Sequence, residues 1–529
     1  MQRRDFHKML IAGGALALTP GLRAGEVFAQ TAMNELTSTL TPEPSVLNPA
    51  IATSNATTLV AGKMYEGLVQ LDFDLTPQPM LAESWEQSED GLTYTFKLVQ
   101  NATWHDGEPF TSADVVFSCD VMLRETHPRA RMLFDQCESI TAPDDYTVEF
   151  KLKAPFGPFL MAMDTQNVPI MPRHIYEGKD YRATELNEMP IGTGPFKFVE
   201  WVRGAYIHLA KNENYRVEGQ PYLEAIYYRI IPDGSSRAVA LETGEVQLVA
   251  WSDVEKFDVN RLAELPGIEM TKKGYEYFSP LMWYEANLRR EPFNDLRFRK
   301  AMMHLIDKDL MVERILYGHG RAATGPISEA TRFHDPDLPT YDFDPEKAKA
   351  LLDEIGLTPD ADGVRLRFTF QVVPFGELQT RFAEYFRQAM SEAGIVVTLE
   401  SNDVAGWSKK ISNWDYDMTG NILFQYGDPA LGVSRTYVSS NIRKGVMFSN
   451  TQGYENPEVD RLFAEAASAV GDEARQAKYS EVQRLLVEEL PVLWVMEQHF
   501  PTLYDDRLTD LITGATGVNA SFATAKYTS

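Results

Sequence analysis

Nine histidines, two cysteines and 76 aspartate and glutamate side chains are the groups in this 529-residue chain from which catalysis or metal binding could be built. The histidines are scattered, and none is spaced from another so as to place two imidazoles on one helical face as zinc ligands. There is no His-Glu-x-x-His, Gly-x-Ser-x-Gly, P-loop or Cys-x-x-Cys. Gly318-His319-Gly320-Arg321-Ala322-Ala323 imitates a dinucleotide fingerprint. It follows an expected helix where that motif requires a strand, and so reads as a helix-terminating loop. Carboxylates this numerous form pairs by abundance alone and do not define a glycosidase dyad. The residue types point away from an enzyme, and no cofactor is expected.

Export bears on the two cysteines. Arg3, Arg4 and Lys8 precede an apolar run from Met9 to Leu18, and Val27-Phe28-Ala29 has small residues where signal cleavage requires them. Residues 1–29 read as a signal peptide. The Arg-Arg-x-Phe-x-Lys order resembles a twin-arginine signal, the alternative being an ordinary basic leader. The expected location is the periplasm, where Cys119 and Cys137 would meet oxidising conditions. A bond between them would close a loop of about 19 residues and contribute roughly 3 kcal/mol. Two buried thiols are the alternative, because spacing does not fix the Cα separation. The formal charge of −26 argues against nucleic acid or anionic lipid as partner.

The elements that must position any site follow from periodicity. Leu92, Tyr94, Phe96 and Leu98 alternate with polar residues between Asp90-Gly91 and Asp106-Gly107, a hairpin pattern. Thr111 to Asp114 offers a hydroxyl cap and a first-turn carboxylate for a helix beginning near Ser112. Strands are expected over 34–40, 145–152, 197–201, 207–211, 225–231 and 246–251. Two glycines before Pro195 allow a tight turn. Asn294 can cap a helix carrying Phe298, Met302, Leu305, Ile306 and Leu310. Asp344-Pro345 starts a helix stopped at Gly356. Arg365–Val373, Glu377–Ala393 and Ile395–Leu399 then form a βαβ unit, Asn456-Pro457 and Asp472 begin later helices, and 492–496 is a strand.

Tyr65-Glu66-Gly67-Leu68, Leu81 to Trp85, Asp90 to Phe96, Trp104-His105-Asp106-Gly107 and Phe110 to Phe117 together resemble the signature of the bacterial extracellular solute-binding proteins of family five. These are the peptide, nickel and opine type that serve ABC importers. Arg290 to Met302 resembles the family's second signature. The resemblance implies an α/β, two-lobed periplasmic binding protein fold with an additional small α+β subdomain. Residues 30–60 would open lobe I, 61–187 form the signature subdomain, 188–280 continue lobe I, 281–494 form lobe II and 495–529 return to lobe I. It further implies a monomer that captures a peptide-like, opine or other small polar solute between the lobes and delivers it to the permease subunits of an ABC importer. A secreted hydrolase, or a periplasmic sensor or chaperone, is the alternative.

The same resemblance points to a cleft. Its stretch here is Asn421 to Pro429. Peptide-binding relatives carry an aspartate at the position of Gln425, and dipeptide-binding relatives an arginine at that of Val373. Neither charge is present here, which disfavours a plain dipeptide. Gln425, Tyr426, Asp428, Trp251, Trp407, Asn48 and Arg435 are the candidate ligand contacts. The competing roles are a turn for Asn48, a cap for Asp428, interlobe packing for Trp251, and a surface or ion-pair position for Arg435 and Arg443. Some relatives carry nickel, but no metal site is expected here.

Overall fold

Tyr94, Phe96 and Leu98 are 2%, 0% and 1% exposed, whereas Lys97 between them faces solvent, as a half-buried strand requires. In the computed structural model, which describes residues 34–182 and 185–528, this strand, Thr93–Leu98, pairs across the Gly91 turn with Ala82–Gln87. Its other edge pairs with Thr147–Leu152, which in turn pairs with Cys137–Asp144, making a four-stranded antiparallel sheet. The second arm of the expected hairpin contributes a single bridge, Thr103 to Pro109. The helix Ser112–Val116 starts where its cap predicts, with Asp114 Oδ2 accepting the Thr111 N–H at 2.9 Å. The expected leader, residues 1–29, lies outside the described residues.

A seven-stranded sheet forms the first lobe. Its order is Ile268–Thr271, Thr502–Asp505, Leu248–Val249, Glu35–Leu40, Ala225–Ile230, Tyr206–Lys211, Phe196–Val202. One apolar core runs from Leu36 and Ile226 under this sheet to Phe96 and Phe150 under the four-stranded one, so the signature block is joined to the first lobe by packing. A buried ion pair reinforces the join. Glu66, wholly buried, accepts from Arg216 Nη1 at 2.6 and 2.7 Å, Tyr215 Oη at 3.0 Å and Thr193 Oγ1 at 2.9 Å. The glycine pair before Pro195 serves close approach and not a turn, since a Cβ on Gly192 would lie 1.8 Å from the Met64 carbonyl oxygen.

The second lobe has its own core, including Tyr284, Phe370, Phe386 and Trp494, around a six-stranded sheet. The order is Gly320–Ala322, Leu493–Gln498, Leu281–Ala286, Met418–Leu423, Leu366–Val372, Ile395–Ser401. Leu366–Val372 and Ile395–Ser401 run parallel around the helix Glu377–Ser391, which buries Phe382, Phe386, Ala389 and Met390 at helical spacing. The single helix expected after Asn294 is two. Asp295 caps Leu296–His304, and Asp307 caps Lys308–Arg314, each through its own side chain. The return to the first lobe, expected at 495, falls later, because Leu493–Gln498 remains paired with Leu281–Ala286. Among the described residues the chain thus crosses between the lobes twice, over 272–280 and 499–501. No helix among them is long and apolar enough to cross a membrane.

Candidate functional site

The two crossings meet at an aromatic cluster. Phe278 lies on the first and Phe500 on the second. Trp251, at the end of a first-lobe strand, packs edge-on to Phe278 at 4.9 Å and stacks on Phe500 at 5.7 Å. The strand expected over 246–251 is only Leu248–Val249, and the chain then turns so that Trp251 takes φ +51°. From the second lobe, Phe424 reaches Phe278 at 5.6 Å and Tyr426 reaches Tyr277 at 5.9 Å. Tyr426 also sits at φ +52°. Left-handed backbone at two bulky aromatics is costly, and such strain concentrates at functional sites. The Trp251 indole N–H is buried with no hydrogen-bond partner among the described residues.

Two hollows open beside this cluster, both walled by the signature subdomain on one side and the second lobe on the other. One, about 260 Å³, is lined by Arg129, Leu133, Phe156, Ala162, Asn167 and Leu431. The other, about 480 Å³, includes Tyr94, Phe156, Leu160, Met161, Arg332 and Arg475, so Phe156 divides the two. A larger hollow of about 950 Å³ runs along helix Glu377–Ser391 and strand Ile395–Ser401, but it is built from the second lobe alone. The lobes touch across the smaller hollows. The Gly157 N–H donates to the Ala467 carbonyl at 2.8 Å, and Gly427 meets Met161 so closely that a Cβ would lie 3.2 Å from its sulfur.

The two hollows are lined by three arginines, Arg129, Arg332 and Arg475, and three aspartates, Asp74, Asp135 and Asp472. The Arg129 guanidinium lies 4.5 Å, and that of Arg435 5.6 Å, from the centre of the Tyr426 ring. Burial and the neighbouring Arg129 charge both hold the Arg435 pKa below its ordinary value, burial being the larger cause. Beneath them, Asn167 Nδ2 donates to Asp164 Oδ2 at 2.8 Å and to Tyr277 Oη at 2.6 Å, while its Oδ1 accepts from Arg129 Nε at 2.9 Å. Burial pushes the Asp164 carboxyl up to about 7. Among the described residues no three His, Cys, Asp or Glu side chains converge to hold a metal ion.

Of the seven expected contacts, Trp251, Tyr426 and Arg435 come together in the cleft and four do not. Asn48 is wholly buried, accepting the Ala50 N–H and donating to Asn187 Oδ1 at 2.8 Å, which is the turn-making role. Trp407 is 1% exposed in the second lobe, packed with Val373 and Tyr416, and its indole donates to Thr419 Oγ1. Gln425 is 3% exposed, its amide held by the main chain at Ser328 and Pro326. Asp428 caps Pro429–Gly432, and its carboxylate lies 2.8 Å from Arg475 Nη2 in a buried ion pair. Arg443 is exposed. The expected disulfide is not formed. Cys119 and Cys137 are free, buried thiols, and burial pushes Cys137 up to about 12.

Arg129 was not among the expected contacts. Its sequence signal is a cation in the first turn of helix Pro128–Phe134, where the helix dipole favours an acid.

Comparison with known proteins agrees with this architecture. The family model described as "Bacterial extracellular solute-binding proteins, family 5 Middle" matches residues 76–450. The oligopeptide-binding protein AppA of Bacillus subtilis is 30% identical over 476 residues, 85% of this chain and 83% of that one. Its structure in complex with a nonapeptide superposes with a TM-score of 0.77 at 25% identity, covering 94% of this chain and 99% of that one. NikA from Brucella suis, in complex with Fe(III)-EDTA, gives a TM-score of 0.82 at 25% identity, covering 93% and 100%.

Proposed function

The chain belongs to the bacterial extracellular solute-binding proteins of family 5, and we propose that it is the periplasmic, monomeric receptor of an ABC importer, capturing a small polar or peptide-like solute and returning it unchanged. The observation that carries this reading is the pair of hollows between two separately cored lobes that are joined through two crossings. Such lobes can part and close as rigid bodies about residues 272–280 and 499–501. A solute held in the hollows touches both lobes only when they meet, and this differential affinity drives closure. The closed form is then what the permease subunits recognise.

Phe156, Leu133, Tyr94, Leu160 and Met161 supply the apolar wall of the hollows, and the aromatic cluster packs beside them, with the Trp251 N–H left as an unpartnered donor. Gln425 and Val373 leave both expected dipeptide anchors uncharged: one is an amide tied to the main chain and the other is buried among Trp407, Ile411 and Tyr416. A plain dipeptide is therefore a poor fit. Relatives at this level of similarity include proteins described as binding oligopeptides and, as a probable role, D,D-dipeptides.

The test is native mass spectrometry of the protein recovered from its own host, then denaturation and identification of what is released. One intact small solute per chain, unaltered after prolonged incubation, is the expected result. Turnover of the solute would establish a hydrolase instead.

A further inference from the structure

Arg129 and Arg435, both half-buried, stand out among the charges of this molecule because each comes from a different side of the cleft and neither has an acid in ion-pair contact. Arg129 is carried by the signature subdomain and Arg435 by the second lobe. Arg129 donates to Asn167 Oδ1 and, at 3.0 Å, to the Gln166 carbonyl. Arg435 donates to the Gly432 carbonyl at 3.1 Å and makes a longer contact, 3.5 Å, with that of Phe424. Arg435 also donates to the Tyr426 hydroxyl. All of these partners are uncharged side chains or carbonyls, and no ion pair to either guanidinium forms among the described residues.

Contrast this with the other cations beside the same hollows. Arg475 is paired with Asp428 and Arg332 with Asp472. Two acids lie near Arg129, and neither forms an ion pair with it, although the Arg129 charge favours the ionised form of Asp164 from across Asn167. Asp135, on the rim of the smaller hollow, contacts Arg124 at 3.5 Å. Asp164 gives its oxygens to the Gln166 N–H and to Asn167 Nδ2. The two guanidiniums therefore both lie against Tyr426, neither in an ion pair, and the charge of Arg129 is felt at Arg435.

Resting on the solute-binding reading above, we propose that Arg129 and Arg435 clamp one anionic group of the solute, a carboxylate or a phosphate, so that the solute captured by this chain is an acid. Guanidinium is suited to either group through its planar fork of donors. Because the two arginines approach only when the lobes meet, their repulsion opposes closure of the empty protein, and an anion between them reverses the sign of that term. Tyr426 serves as the platform on which both cations rest.

Acetate and phosphate are the probes, each compared with chloride at equal ionic strength by thermal melting and small-angle scattering of the mature protein. The wild type and an exposed control, Arg443→Met, are expected to melt higher and scatter as a more closed particle in one or both anions. A response to acetate alone assigns a carboxylate, and to phosphate alone a phosphate. Arg129→Met and Arg435→Met are expected to bind the effective anion at least about tenfold more weakly. Arg435→Lys, which keeps the charge, is expected to recover part of the response and guards against a folding defect. Absence of any anion response in the wild type, or equal responses in all variants, overturns the clamp. Native mass spectrometry separates this from the broader reading: a neutral solute retained equally by wild type and Arg435→Met would overturn the clamp and leave solute binding intact.

Discussion

Replacing Gly157 by valine should cripple closure while sparing the fold. Gly157 belongs to the subdomain loop that touches the second lobe, its N–H donating to Ala467 at 2.8 Å. A Cβ at this position would lie 2.6, 2.8 and 2.9 Å from Nε, Cζ and Cδ of Arg475. Carbon in van der Waals contact sits near 3.5–4.0 Å, so something must give. Arg475 is poorly able to. It is 2% exposed, pairs with Asp428, donates from Nε to the Ala466 carbonyl at 3.0 Å, and lies 4.6 Å from the Phe333 ring centre. The clash exists only when the lobes touch, and Gly157 is not in left-handed backbone that would exclude valine.

Forcing extra bulk into a packed contact costs roughly 1–3 kcal/mol, and the Gly157 hydrogen bond about 1 kcal/mol more if the lobes stand apart. Borne by the closed state alone, 1–3 kcal/mol weakens solute binding by roughly 5- to 150-fold. Calorimetric titration with the solute released from the native protein measures this. Ligand-free melting and scattering should match those of the wild type. Binding at wild-type affinity, or a ligand-free loss of stability of the same size, would refute the reasoning.

Three further outcomes follow from buried groups. Asp428→Ala leaves Arg475 as an unpaired buried cation and should lower unfolding free energy by about 3–5 kcal/mol in urea titrations; a loss under about 1 kcal/mol would contradict the ion pair. Asp164 titrates near 7 when folded and near 3.8 as the free side chain, so the folded state holds an extra proton between those values, and ionising it costs stability as pH rises through the window. Asp164→Asn should remove that slope, read as the difference between wild-type and variant melting points from pH 4 to 7.5. Histidines buried neutral, such as His105 at about 4, act oppositely, losing stability as pH falls below 6.5, but they are common to both proteins and cancel in the difference. Finally, Cys119 and Cys137 should resist alkylation in the native protein, react fully in denaturant, and show no mass change on reduction. A gain of two hydrogens on reduction would reveal the disulfide.

What could be read ahead of the structure was what is decided locally. The caps at Asp344 and Asn456, and the Thr111 start, depend on residues within four positions, and all are found. The alternation at Tyr94, Phe96 and Leu98 depends only on the pleat. The helix after Asn294 failed because Asp307 supplies a second cap and resets the phase, so that Met311 is buried and Leu310, the last residue of the expected stripe, is 40% exposed. Site residues failed for a longer-range reason. Trp407 and Asn48 are types that serve a cleft or a core equally well, and Thr419 and Asn187, which satisfy them, are 12 and 139 residues away. No local pattern carries that distance.

The same limit explains why, of the two arginines at the site, Arg435 was expected and Arg129 was not. Alignment by motif asks whether a particular position holds an acid or a base, and at 425 and 373 it finds neither. The fold adds that position 425 has no freedom to carry charge. Its Nε2 donates to the Pro326 carbonyl at 3.1 Å, a bond a carboxylate could not make, and its Oε1 accepts the Ser328 N–H. An aspartate there would lose the donor to Pro326 and place a carboxylate in a 3%-exposed position, which is costly without a partner. Cationic charge in this cleft is instead contributed from outside the motif, by the first turn of helix Pro128–Phe134 and the turn Ser434–Thr436, on elements that meet only across the interlobe gap. A charge divided in this way makes recognition and closure one event, since neither arginine alone surrounds an anion and only the closed protein brings both to it.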